Sequence, residues 1–133
     1  MARKRRRSQR AGGAAVVIEH GGSIISRDVI SDLHTTEFRI MLTLMVKVMN
    51  AIPNDSDLLF LTNAAYIQNF DKTPTAKSAN PDLITQCIKA KTQHNSVSVK
   101  IVQYHKSPLL KETHDMATEA MAKTRKEHYH DIK

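Results

Sequence analysis

The sequence predicts an α/β fold, with a mixed sheet covered by helices. Three observations carry that reading. Hydrophobic spacing switches along the chain between strand and helix periods. The resulting order is β-β-α-β-α-α-β-α, a hairpin followed by helix–strand alternation. One segment, DLLFLT at 57–62, is a nearly continuous apolar run, as expected of a strand buried on both faces. The length of 133 residues suits one domain with one core.

The elements follow in order. AAVVIEH (14–20) and SIISRDVI (23–30) read as strands, and the Gly21–Gly22 pair between them is a tight hairpin signal. Thr35 or Thr36 caps a helix over 37–52, which Pro53 ends. Met41, Leu44, Met45 and Val48 form its apolar stripe; Arg39, Thr43, Lys47 and Asn50 form the polar one. Glu37 falls on the core-facing side by spacing, either as a first-turn acid favoured by the helix dipole or as a functional carboxylate. PNDSD (53–57) turns the chain into the apolar strand, and AAYIQNF (64–70) is a short helix. A polar loop over 71–81 leads to a helix over 81–93 that opens on Pro81 and buries Leu83, Ile84, Cys87 and Ile88. VSVKIVQYH (97–105) alternates as a strand, and Pro108 separates it from a last helix over 109–130. No internal repeat occurs.

Charge is unevenly placed. Residues 1–10 hold Arg3, Lys4, Arg5, Arg6, Arg7 and Arg10 and no acidic side chain; without those six, 14 basic side chains face 13 acidic ones. The net charge of +7 therefore belongs to an arm rather than to the fold. Like charges in sequence repel and bury nothing, so residues 1–12 are expected to be a disordered basic arm. Three uses stay open for it: phosphate neutralisation, nuclear import, or solubility alone. The domain proper is expected over 13–127, with a frayed tail at 128–133. The single Cys87 excludes an intramolecular disulfide and fits a reducing, intracellular compartment. No run of about 18 apolar residues predicts a membrane span. No phosphate-binding loop, dinucleotide glycine motif or activated serine phrase is present. His128, His130 and Asp131 make a weak metal grouping at the tail.

Strand ends that meet helix starts are where α/β proteins keep their chemistry. Four polar residues fall there: Glu37, Asn63, His105 and Asp115. Their phrases are TTEF, LTNAAY and VQYHKSPLLKETHDMA. In order and spacing they resemble ribonuclease H of the cellular and retroelement type, over roughly residues 11–125. AGGAAVVIEHGG resembles that family's glycine turn and second strand. Glu37 matches its helix glutamate. Thr62, Asn63 and Tyr66 match a strand phrase in which Asn63 stands at an aspartate. Val102 to His105 match the histidine phrase, and Asp115 the last aspartate, ten residues beyond His105.

The resemblance also marks departures. The family's first strand, central in its sheet, is missing, and its aspartate falls near Ala2. In that family four carboxylates hold two divalent ions on the scissile phosphate. Here Glu37 and Asp115 remain as candidate metal ligands, and an amide is a poorer ligand for a hard cation. Asn63 is then expected to cap the helix after it. The implied protein is a degenerate ribonuclease H-like domain that binds RNA or an RNA–DNA hybrid through the arm, without a metal cofactor. The basic arm leaves a nuclear or virion-associated location open, and the missing strand is expected to be met either by dimerisation or a strand taken from a partner at the unpaired edges, or by the chain being a fragment of a retroelement or viral polyprotein gene. Two alternatives stand beside it. One is an active hybrid nuclease using Mg2+ or Mn2+, with Glu19 as a replacement carboxylate. The other is a viral packaging protein with an arginine-rich arm. A winged-helix DNA reader is a weaker option, because 81–93 offers only Lys89 and Lys91.

Overall fold

The computed structural model describes residues 11–75 and 78–132, with side chains through Glu127. In chain order the elements are β1 (Gly12–His20), β2 (Ser23–Asp32), α1 (Glu37–Ala51) and β3 (Asp57–Thr62). A 3-10 turn (Ala65–Asn69), α2 (Pro81–Lys91), β4 (Ser96–Ile101), a second 3-10 turn (Tyr104–Lys106) and α3 (Pro108–Ile132) follow. The chain forms two compact units. Among the described residues, one comprises those up to Ile40 with those from Lys111 onward; the other is Met41–Leu110.

The first unit is built on the β1–β2 hairpin. Gly21 and Gly22 have φ of 60° and 82°, the backbone that a two-residue hairpin turn needs and that glycine adopts without a Cβ clash. The ladder shifts between Ile18 and Glu19, leaving Ile25 as the extra residue of a bulge. α3 lies against one face. The Arg27 Nε donates to Glu112 Oε1 at 2.6 Å, and the Ser31 and Thr124 hydroxyls are hydrogen-bonded. A Cβ on Gly13 would collide with the carbonyl of Ala117 in α3, and one on Gly12 would lie 2.6 Å from the Thr35 methyl. β1 therefore begins two residues earlier than its apolar run, because both glycines belong to the strand and let neighbours come close.

The second unit is a parallel β3–β4 pair with helices. Its core is Leu42, Leu44, Met45, Val48 and Met49 of α1, Leu83, Ile84, Cys87 and Ala90 of α2, Val97 of β4, and Ile67 and Phe70. Leu42, Met49, Ile67 and Cys87 are the largest fully buried side chains. Burying the leucine, methionine and isoleucine stabilises the unit by about 1.5–3 kcal/mol each. The α1 stripe is wider than its sequence spacing predicts: Leu42 and Met49 are buried, and Met41 only half-buried. The Lys91 Nζ reaches Asp71 Oδ2 at 2.6 Å and sits 5.9 Å from the Phe70 ring centroid.

Two expectations are corrected. The strands include parallel and antiparallel pairs, yet among the described residues they form two separate ladders rather than one sheet. β3 is also not buried on both faces. Leu58 and Phe60 are half-buried, whereas Leu59 is 58% and Leu61 55% exposed. Successive strand side chains point to opposite sides, and only one side of β3 is packed.

Candidate functional site

Glu37 and Asp115 lie in the first unit; Asn63 and His105 lie in the second. Thr36 caps α1: its Oγ1 accepts from the Arg39 N–H at 3.2 Å, and its carbonyl accepts from the Ile40 N–H at 3.0 Å. Glu37 is thereby the first helical residue. Its side chain is exposed rather than turned to the core, a placement the helix dipole favours. Asp115 is exposed on α3.

β3 and β4 run parallel with Thr62 opposite Ile101. The Val102 N–H extends the ladder by donating to the Thr62 carbonyl at 2.9 Å. Asn63 and the segment carrying His105 therefore leave from the same, C-terminal end of one strand pair, the end where open parallel sheets place ligands. Both side chains are exposed.

Asn63 does not cap the following turn. The cap position is Ala64, with no side-chain cap bond, and the Ala64 N–H is taken by Thr62 Oγ1 at 3.1 Å. Thr62 is buried and two residues away, the favoured reach for a threonine hydroxyl, so the side-chain hydrogen bond at the start of this turn comes from Thr62 and not from Asn63.

No family model matches the chain, and no curated protein does. Solved structures do match. LC9-RNase H1, described as a type 1 RNase H with the type 2 active-site motif, superposes with a TM-score of 0.70 at 18% identity. The match covers 88% of this chain and 65% of that one. The RNase H1 of the halophilic archaeon Halobacterium salinarum NRC-1 superposes with a TM-score of 0.62 at 14% identity, covering 85% and 86%. The fold is ribonuclease H-like.

The ribonuclease H-like fold leaves the donor chemistry to this chain's own residues. Asn63 contributes a neutral amide at the end of β3. Among the described residues, no group of three or more His, Cys, Asp or Glu side chains is arranged to hold a metal ion. Glu19, the replacement carboxylate considered above, is exposed beside the hairpin turn. The six basic residues of the arm, Arg3 to Arg10, lie outside the described residues, as do the side chains of His128, His130 and Asp131.

Two residues have structural roles that the sequence does not signal. One is Thr62. The other is His94, 8% exposed, whose Nε2 lies 2.7 Å from the Met49 carbonyl. A carbonyl only accepts, so that nitrogen carries the proton, while the buried Nδ1 has no hydrogen-bond partner among the described residues. Cys87 is a buried free thiol, as expected. Burial, followed by the nearby Asp71 charge, pushes its pKa up to about 11, so it is not a nucleophile at neutral pH.

Proposed function

We propose that this chain is a nucleic-acid-binding ribonuclease H-like domain without nuclease activity. It engages RNA or an RNA–DNA hybrid through the basic arm. The observation that carries the proposal is the neutral Asn63 at the C-terminal end of β3, within a ribonuclease H-like fold. A two-ion mechanism needs charged oxygens gathered on the ions, and an amide there supplies none. Affinity then comes from Arg3, Lys4, Arg5, Arg6, Arg7 and Arg10, which can displace condensed counterions from phosphates.

The test is paired binding and cleavage of a labelled RNA–DNA hybrid by the full chain in Mg2+ and in Mn2+, beside Glu37→Ala. The expected result is binding without cleavage in either metal. Cleavage that disappears in Glu37→Ala overturns the inactive reading and restores the metal-dependent nuclease. A folded chain that binds neither hybrid nor RNA overturns the nucleic-acid reading itself.

A further inference from the structure

The basic arm leaves Asn63 and His105 without a role, yet β3 and β4 bring both to one end of one strand pair. The first 3-10 turn, Ala65–Asn69, lies beside β4. The second, Tyr104–Lys106, begins two residues after the Val102 N–H that reaches the Thr62 carbonyl. Asn63, Lys100, His105 and Lys106 are all exposed, and Tyr66 is 36% exposed.

Charge at this end has one sign. Residues 58–70 and 96–110 contain no Asp or Glu. The second unit has seven lysines against four aspartates and no glutamate, and each aspartate is engaged or placed away from Asn63. Asp57 opens β3, about 20 Å from Asn63 along the strand. Its Oδ1 accepts from the Ser96 hydroxyl. Asp55 precedes it, with its N–H donated to the Gln93 carbonyl. Asp71 is paired with Lys91 at 2.6 Å. Asp82 sits in the first turn of α2, where the helix dipole favours it. A carboxylate at position 63 would repel an anion, whereas the Asn63 amide carries no charge and offers two donor hydrogens. These groups suit a negatively charged ligand.

We propose that the C-terminal end of the β3–β4 pair binds a phosphodiester of single-stranded RNA directly, without a bridging metal ion. Asn63 and His105 donate hydrogen bonds to the phosphate oxygens, and Lys106 supplies the opposite charge. Lys100, one residue before the end of β4, adds to the positive potential. Tyr66 offers a ring on which the adjoining base stacks. The inference rests on the nucleic-acid reading, and it adds a contact on the fold to those of the arm.

The experiment is fluorescence anisotropy of a labelled single-stranded RNA in EDTA and in Mg2+ at matched ionic strength. It compares the full chain with Asn63→Asp, Lys106→Ala and Lys89→Ala. The three substituted positions are exposed, so the variants should keep the fold, which circular dichroism checks. The full chain is expected to bind equally well in both buffers. Asn63→Asp should weaken binding in EDTA at least about fivefold, as a like charge then stands roughly 4 Å from the phosphate. Lys106→Ala should lower the salt slope by about 0.7, the value of one single-strand phosphate contact. Lys89→Ala, in the last turn of α2, should change neither quantity. Binding that requires Mg2+, or that is indifferent to Asn63→Asp or to Lys106→Ala, overturns the site and leaves the arm as the binding element. A full chain that binds no RNA overturns both readings.

Discussion

Gly13 lies so close to the carbonyl of Ala117 that no Cβ fits between them. The obstacle is backbone, held by the hydrogen bonds of α3, and it cannot rotate away as a side chain tip would. Gly13→Ala must push α3 off the hairpin or distort the strand. We expect a loss of about 1–3 kcal/mol, the usual cost of overpacking, read from thermal or urea unfolding. Gly21→Ala is the control. Nothing lies within 4 Å of its added methyl, so only the positive φ opposes it, at roughly 1–2 kcal/mol. Similar losses at both positions are compatible with this account only if Gly13→Ala also weakens the Arg27–Glu112 pairing between the hairpin and α3.

Thr62 rather than Asn63 holds the turn after β3. Thr62→Val keeps the buried volume but leaves the Ala64 N–H without the oxygen 3.1 Å away. The expected cost is about 1 kcal/mol. Asn63→Ala, at an exposed position without that role, should stay within roughly 0.5 kcal/mol of the parent. Chemical denaturation of the two variants decides the matter, and the reverse ranking would return the cap to Asn63.

Cys87 adds a pH dependence whose sign follows from burial. Its thiol is raised from an ordinary value of 9.0 to about 11 in the folded chain. Between those values the unfolded chain has lost the proton that the folded chain keeps. The contribution is fully present below about pH 9 and is lost as pH rises through about 11. Unfolding curves across this window should show stability falling, and Cys87→Ala should flatten that fall. At neutral pH the native thiol should react with an alkylating reagent about a hundredfold more slowly than a free cysteine, from the thiolate fraction alone.

Much of this fold is legible in the sequence, because each element has a local cause. The Gly21–Gly22 pair sets the hairpin, the threonine at 36 starts α1, and Pro53 and Pro81 bound the helices. The error at β3 has an equally physical origin. Four consecutive apolar residues say nothing about how many faces are covered, since that depends on partners far away in sequence. Likewise the asparagine at 63 and the histidine at 94 look alike as polar loop residues. Only the folded chain shows the first exposed and the second buried against Met49. The candidate residues were found by order and spacing, whereas the role of Thr62 needed a distance.

His94 fixes the end of α1 to the turn before β4 through one hydrogen bond, from Nε2 to the Met49 carbonyl. His94→Phe preserves the ring and removes the donor. Loss of that bond inside a buried site should cost about 1–3 kcal/mol. His94→Gln, whose amide can still donate, should recover part of it. Equal losses in the two variants, measured by urea titration, would mean that packing rather than the hydrogen bond matters at this position.

The arm makes the most direct statement about partners, and its test is quantitative. Six basic side chains in residues 1–10 face a remainder of nearly balanced charge. If all six meet phosphates, the logarithm of the binding constant should fall with the logarithm of salt at a slope of about −4 on single strands and about −5 on duplex. Deleting residues 1–10 should remove most of that slope and most of the affinity together. Fluorescence anisotropy with RNA, DNA and hybrid across a salt series reads both quantities. A slope that survives the deletion would move the binding surface onto the folded units. Loss of affinity for all three nucleic acids alike would show that the arm recognises phosphate, leaving any preference for hybrid to the ribonuclease H-like fold.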